Sequence, residues 1–281
     1  MSKKQHINAT SNNGLLNDEG HFTSIMFLKT CSNEELEPLV KILTDSSTSK
    51  LSNTESYKWH SPNHKKYIQE IIDDYERFGG NTFANIWRGR GVGYKEILKD
   101  VCKQMKVNMP KDASINVMEL SLVTKITEEA VEKMTPQELE EFAKDIDPKV
   151  TDFSKQAVVI AARAIIKQAG FNAYKLLTKL IYTIGTNILG KTVPWIVYQS
   201  STKYLSTFTG PVGLALASAW TIIDLAGPAY RVTIPATIYI ATLRQAKLYE
   251  ATHYKCQKCE TLNDSSAKFC SQCGESLQGE N

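Results

Sequence analysis

Between Ser32 and Asp147, apolar side chains recur at three- and four-residue intervals, the spacing that gathers them on one side of an α-helix. Leu36, Leu39, Val40 and Leu43 form such a stripe behind Ser32-x-x-Glu35, a capping box whose two side chains satisfy the first free N–H groups of a helix. A Ser/Thr/Asn-rich run from Asp45 to Ser56 predicts a loop. Ser61-Pro62 then reads as an N-cap and first-turn proline. The stripe behind it is Tyr67, Ile68, Ile71, Ile72, Tyr75 and Phe78, and Gly79-Gly80 stops the run. Tyr94, Ile97, Leu98, Val101 and Met105 predict the next helix. Thr135-Pro136-x-Glu138 opens another, rich in acids, that ends near Asp147-Pro148. No stretch alternates with the two-residue period of a strand, so the body is read as all-α and multi-helical.

The second half changes character. Residues 155–190 are helical and apolar with basic punctuation, Arg163 and Lys167, then Lys175 and Lys179, each pair at i,i+4 and so on one face. Tyr204 to Ile223 is a run of twenty residues without a charge. Asp224, Gly227-Pro228 and Arg231 follow, and then a second uncharged run, Val232 to Leu243. This pattern predicts an apolar helical hairpin over 204–243, turning at Gly227-Pro228 with Asp224 and Arg231 beside the bend. A bilayer span needs roughly 20 mostly apolar residues. The first arm has that length but is rich in Ser and Thr, and the second is short and carries Pro235. Two readings stay open, a buried hairpin in a soluble helical core and a membrane-embedded or interfacial hairpin.

Charge sharpens the second reading. The net charge is only +3, yet Phe153 to Tyr249 holds one acid, Asp224, against ten Lys and Arg, whereas Glu128 to Asp147 holds eight acids and two lysines. Basic, acid-poor helices suit anionic headgroups, each cation near the surface adding roughly 1 kcal/mol.

The strongest chemical signal is at the end of the chain. Cys256, Cys259, Cys270 and Cys273 follow C-x2-C-x10-C-x2-C, a spacing that wraps one tetrahedral Zn²⁺; two disulfides are the competing use of the same cysteines. With four thiolate positions filled, none is left for a substrate, so the zinc is read as structural. Gly274 supplies the glycine that eases a CxxC turn, whereas Glu260 stands in the corresponding place of the first knuckle. Tyr254 and Phe269 are expected to cover the site, and Lys255, Lys258 and Lys268 to offset its negative charge. His253 is an alternative ligand, less suited than the four cysteines. The stretch resembles the short zinc ribbons appended to many bacterial proteins. Cys31 and Cys102, far apart in apolar contexts, read as buried free thiols. Unpaired thiols and thiolate–metal chemistry together imply a reducing, cytoplasmic setting, at or near the inner face of the cell membrane if lipid is the partner. Residues 1–22 contain no apolar signal core and read as a disordered polar tail.

Arg88-Gly-Arg-Gly-Val-Gly93 leads into a helix but matches neither the dinucleotide fingerprint nor a P-loop. With Arg88 and Arg90, the lysines Lys95, Lys99, Lys103 and Lys106 form a basic strip suited to phosphates of lipid or nucleic acid, unless it is simply solvated or paired with the acidic 128–147 segment. His60 and His64 read as surface histidines. Neither a nucleophile elbow nor a metalloprotease motif is present, and a non-enzymatic protein is expected.

At residues 77–107, RFGGNTFANIWRGRGVGYKEILKDVCKQMKV, and 227–243, GPAYRVTIPATIYIATL, the chain resembles the YaaW-like family of uncharacterised bacterial proteins, with a likeness extending from about residue 22 to 247. The family is grouped beside the ubiquinol–cytochrome c chaperone domain. The resemblance implies a helical bacterial protein, carries no catalytic residues, and points to Gly79, Gly80, Asn81, Arg88, Gly89 and Gly91, then Gly227, Tyr230, Arg231 and Pro235. The expected organisation is a tail (1–22), an amphipathic helical domain (23–150), a basic acid-poor region with the hairpin (151–250) and a small β-type zinc ribbon (251–281). The expected function is association with an anionic membrane or a protein partner through the hairpin, a stress or antiviral membrane effector being one specific form. The alternatives are a soluble assembly factor or chaperone-like adaptor that docks through its ribbon, and a nucleic-acid-binding protein.

Overall fold

The computed structural model describes residues 24–80, 92–168, 171–189, 230–259, 261–264 and 266–277. Among these are nine α-helices: α1 (Asn33–Thr44), α2 (Glu55–His60), α3 (Ile68–Gly80), α4 (Tyr94–Gln104), α5 (Ile115–Glu132), α6 (Pro136–Ile146), α7 (Lys155–Gln168), α8 (Phe171–Leu189) and α9 (Tyr230–Thr252). Short 3₁₀ turns lie at Ser24–Thr30, Leu51–Asn53 and His64–Tyr67. Strands β1 (His253–Lys255) and β2 (Leu262–Asp264) pair antiparallel, with Tyr254 opposite Asn263.

The two capping boxes are realised as read. Ser32 Oγ accepts from the Glu35 N–H at 3.2 Å while Glu35 Oε2 accepts from the Ser32 N–H at 2.8 Å, and Thr135 and Glu138 repeat the box at α6. The stripe of α4 (Tyr94, Ile97, Leu98, Val101, Met105) is buried throughout. Gly79 lies inside the last turn of α3, where a Cβ would sit 2.3 Å from Ile97 Cγ1; the glycine lets α3 and α4 approach closely.

Three local expectations need correction. Ser61-Pro62 closes α2 instead of opening a helix, its Ser61 N–H bonding the Tyr57 carbonyl at 3.0 Å, and α3 begins only at Ile68. The 45–56 loop is partly ordered. Buried Asp74 accepts from Ser49 Oγ at 2.8 Å and from the N–H groups of Lys50 (3.2 Å) and Leu51 (3.4 Å), which allows a 3₁₀ turn and lets Thr54 cap α2. His64 is buried, not a surface residue, with Nδ1 2.5 Å from Tyr67 Oη, and burial lowers its pKa.

The centre of the molecule is α9. Every residue from Val232 to Ala246 is buried, and the helix packs against α1, α3, α4, α5 and α8. It is apolar all round because it is surrounded all round. Of the expected hairpin, the second arm, Val232 to Leu243, is the heart of a 23-residue core helix, and Arg231 is an exposed residue of that helix's first turn. The first arm and the turn residues Asp224, Gly227 and Pro228 lie outside the described residues. Among the described residues, no helix is long and apolar enough to cross a membrane.

A buried helix with cations on it needs partners. Arg244 Nη1 donates to Glu119 Oε2 at 2.6 Å, and the same carboxylate accepts from Gln245 Nε2 and Tyr94 Oη, each also at 2.6 Å. Glu119 is fully buried; burial pushes its carboxyl pKa up, and Arg244 and the hydrogen bonds pull it back. Lys247 pairs with Glu35 at 2.6 Å, so the capping-box acid of α1 also anchors α9. One apolar core accordingly contains residues of both halves of the chain.

Arg244→Met, which leaves Glu119 buried without its cation, is expected to lower stability by about 3–5 kcal/mol in urea denaturation. Gly79→Ala is expected to cost about 1–3 kcal/mol through overpacking. Adding Ile97→Ala to it should return part of that loss if the close approach is the cause.

Candidate metal centre

Helix α9 ends at Thr252 and the chain passes directly into β1, so the cysteine module starts without a linker. Two tight turns build it. In the first, the Cys256 N–H bonds the Thr261 carbonyl at 2.8 Å. In the second, the Cys270 N–H bonds the Glu275 carbonyl at 2.7 Å and the Gly274 N–H bonds the Cys270 carbonyl at 2.9 Å. Gly274 adopts φ +70°, the left-handed conformation expected of a glycine after a second cysteine. A Phe269–Ser276 bridge and the Leu277 N–H to Lys268 carbonyl bond close the base of that turn.

The four sulfurs face one point and lie within 4.8 Å of one another. Cys256 and Cys273 Sγ are 3.7 Å apart and Cys259 and Cys270 Sγ 3.5 Å apart, close to the ~3.8 Å edge of a tetrahedron drawn with zinc–sulfur bonds of ~2.3 Å. These separations are far beyond a disulfide bond, and all four are free cysteines. The donor set therefore suits a single soft metal ion with no position open to a substrate. Burial pushes the Cys270 thiol up, but the N–H groups of Cys273 and Gln272 and the Asn263 amide outweigh it and bring it to about 6. At Cys273, by contrast, the Glu275 N–H pulls down, but the neighbouring sulfurs, Cys259 foremost, outweigh it and push the thiol up to about 12.

Asn263 went unseen in the sequence. Its Nδ2 donates to the Thr261 carbonyl at 2.8 Å and lies 3.5 Å from Cys270 Sγ, and its Oδ1 accepts from the N–H (2.8 Å) and hydroxyl (2.9 Å) of Ser271. One buried amide thus ties the first turn, β2 and the second turn together. No spacing rule marks an asparagine in that place. Lys258 and Glu275, 2.8 Å apart, join the two turns on the outside, and Lys255 and Lys268 are exposed. His253 points back at the helix, its Nδ1–H donating to the Tyr249 carbonyl at 2.9 Å, so it is not among the ligands.

The expected cover over the site is absent. Phe269 is 65% exposed and Tyr254 41% exposed, because each precedes a turn that faces its cysteine inward and leaves the preceding side chain outside.

Elsewhere the sequence candidates separate. Arg163 Nε bonds Glu128 at 2.6 Å, Lys175 Nζ bonds the Asp145 carbonyl at 3.0 Å, and Lys179 pairs with the Asp145 carboxylate in the interior. Lys167 is exposed on α7. Lys95, Lys99 and Lys103 are exposed along α4 with no ion pair to a described residue, Lys106 is exposed just beyond it, and Arg88 and Arg90 lie outside the described residues. Cys31 and Cys102 are buried free thiols, as read, and burial raises both, Cys102 to about 12.

The molecule is thus a helical body around one buried helix, with four cysteines at the end of that helix gathered closely enough to hold a metal ion. The chain belongs to the UPF0174 family. It is 37% identical over 225 residues to a UPF0174 protein of Helicobacter pylori strain J99, covering 78% of this chain and 89% of that relative. It is 34% identical over 199 residues to a UPF0174 protein of Helicobacter pylori strain 26695, covering 69% and 95%, so this chain carries segments which that relative lacks. With UPF0174 protein YaaW of Escherichia coli K12 it shares 28% over 228 residues, 78% of this chain and 92% of the relative, in keeping with the YaaW-like resemblance. No family model and no solved structure matches the chain.

Asn263→Ala keeps all four ligands but removes the tie between the turns. It is expected to weaken metal binding about 10–100-fold in competition with a chromophoric chelator.

Proposed function

We propose that this protein is a non-enzymatic docking adaptor. Its ribbon is held by one structural Zn²⁺ and presents Tyr254 and Phe269 to a protein partner. The observation that carries this reading is the exposure of Phe269, at 65%, on a module whose backbone is tied on every side. A large aromatic side chain on a rigid support binds with little loss of conformational freedom, the quality that makes such residues anchors of interfaces. Six free cysteines, four of them gathered as ligands, suit a reducing, cytoplasmic setting.

The charge distribution supports a protein partner over a lipid one for the second half of the chain. Arg163, Lys175, Lys179, Arg244 and Lys247 are engaged with acids or carbonyls of the helices they pack against, so these cations are already committed. A second reading, binding of an anionic surface through α4, is favoured by the exposed, i,i+4-spaced Lys95, Lys99 and Lys103.

Purified protein is expected to carry one zinc per chain, and metal-free protein with reduced thiols would remove the metal reading. A photo-crosslinking amino acid in place of Phe269 is expected to yield one discrete protein adduct in cells, abolished by Cys256→Ser. The same amino acid at Ile160, also 65% exposed, is expected to yield none. Failure of the 269 adduct, together with retention on anionic vesicles that is lost when Lys95, Lys99 and Lys103 are changed to Glu, would favour the second reading.

A further inference from the structure

The ribbon is not a loose tail; an unbroken series of contacts joins it to the core. The His253 ring stacks on Tyr249 with centroids 3.5 Å apart and planes at 18°, while its Nδ1–H caps the Tyr249 carbonyl in the last turn of α9. Tyr249 stacks in turn on Tyr174 of α8 at 5.0 Å and 19°. The Tyr174 hydroxyl donates to Glu250 Oε1 at 2.9 Å, and Glu250 Oε2 pairs with Lys247 at 3.0 Å. Lys247 reaches Glu35 at 2.6 Å, the acid whose other oxygen caps the start of α1.

On the ribbon side, His253 is held by β1, and β1 by its pairing with β2. Strand β2 is held by Asn263, whose amide bridges the two cysteine turns beside Cys270 Sγ. Asn263 thus hangs β2, and β1 through it, on both turns that the cysteines define, while His253 ties β1 to the helix end. Without a metal, four converging thiolates repel one another and those turns lose their common centre.

We propose that metal occupancy of the ribbon is coupled to the packing of α9 against α8 and α1, with the Tyr174–Tyr249–His253 stack as the connection, so that metal loss at the tail loosens the end of the core helix. The proposal rests on the four cysteines holding a metal and adds regulation to the adaptor reading. Its physical content is reciprocity: if the metal steadies the stack, the stack must tighten the metal by the same factor.

The test uses the full-length, zinc-loaded chain. Tyr174 lies in α8, touches no ligand and belongs to the body. Tyr174→Leu removes the stack and the Glu250 bond; Tyr174→Phe removes the bond alone. Zinc affinity, read by chelator competition, is expected to fall about fivefold or more for Tyr174→Leu and by less for Tyr174→Phe. Hydrogen exchange is the second readout. Chelation of wild-type protein is expected to accelerate exchange in residues 244–252 and 172–178 as well as in the ribbon, whereas chelation of the Tyr174→Leu protein should accelerate it in the ribbon alone. Unchanged zinc affinity in Tyr174→Leu, or acceleration in the wild type confined to 254–277, overturns the coupling while leaving the metal site intact. Protein that binds no zinc overturns both. Should Tyr174→Leu fail to fold, His253→Ala, at the other end of the stack, carries the exchange experiment with the same outcomes.

Discussion

The structure depends on one constraint: a helix with two cations near its C-terminal end lies in the middle of an apolar body. Desolvating a charge costs several kcal/mol unless a partner and further hydrogen bonds meet it. Arg244 and Lys247 therefore dictate where α5 and α1 can lie, since Glu119 and Glu35 must reach them at hydrogen-bond distance. Tyr94, Gln245 and Asn116 complete the Glu119 cluster, which fixes the rotation of α9 relative to α4 and α5. Apolar contacts alone would allow a uniformly hydrophobic helix to turn about its axis; these polar contacts specify a single orientation.

The same constraint explains the charge pattern along the chain. An acid-rich segment followed by an acid-poor one looks like two surfaces seeking two environments. Among the described residues several contacts join the two: Glu128 with Arg163, Glu132 with Lys155, and Asp145 with Lys179 through its carboxylate and with Lys175 through its carbonyl. Acid depletion in the second half thus reflects how few acids are needed on helices whose cations find theirs elsewhere in the chain. Among the described residues, the lysines of α4 and the aromatic side chains of the ribbon lie outside this pairing and are exposed.

The ribbon extends the ordering outward. Its local bonds make a rigid knuckle pair around the sulfurs, and Asn263 performs inside it the task that Glu119 performs in the body, one buried polar group tying several segments. Because β1 follows α9 without a break, the helix end is capped by ribbon residues where a glycine would commonly stand.

Much was legible without coordinates wherever the physics is local. The capping boxes at Ser32 and Thr135, the stripe of α4, the glycine turn at Gly274 and the convergence of Cys256, Cys259, Cys270 and Cys273 follow from spacing, because each depends on residues a few positions apart. The helical class and the family resemblance belong to the same level. Long-range decisions were not legible. The 232–243 run has the same composition whether it lies in lipid or in a core, and only the helices packed around it show that it is the core. His64 looks like a surface residue until Tyr67 and burial enclose it. Tyr254 and Phe269 look like a cover until the turns set their direction, and Asn263 carries no signal at all. Sequence by itself determined the capping boxes of α1 and α6, the stripe of α4 and the gathering of four cysteines, since short-range geometry and donor chemistry suffice for those. Tertiary structure alone decided which helix is central, which charges are paired and which aromatic side chains face outward, because burial and partner choice are properties of residues far apart in the chain.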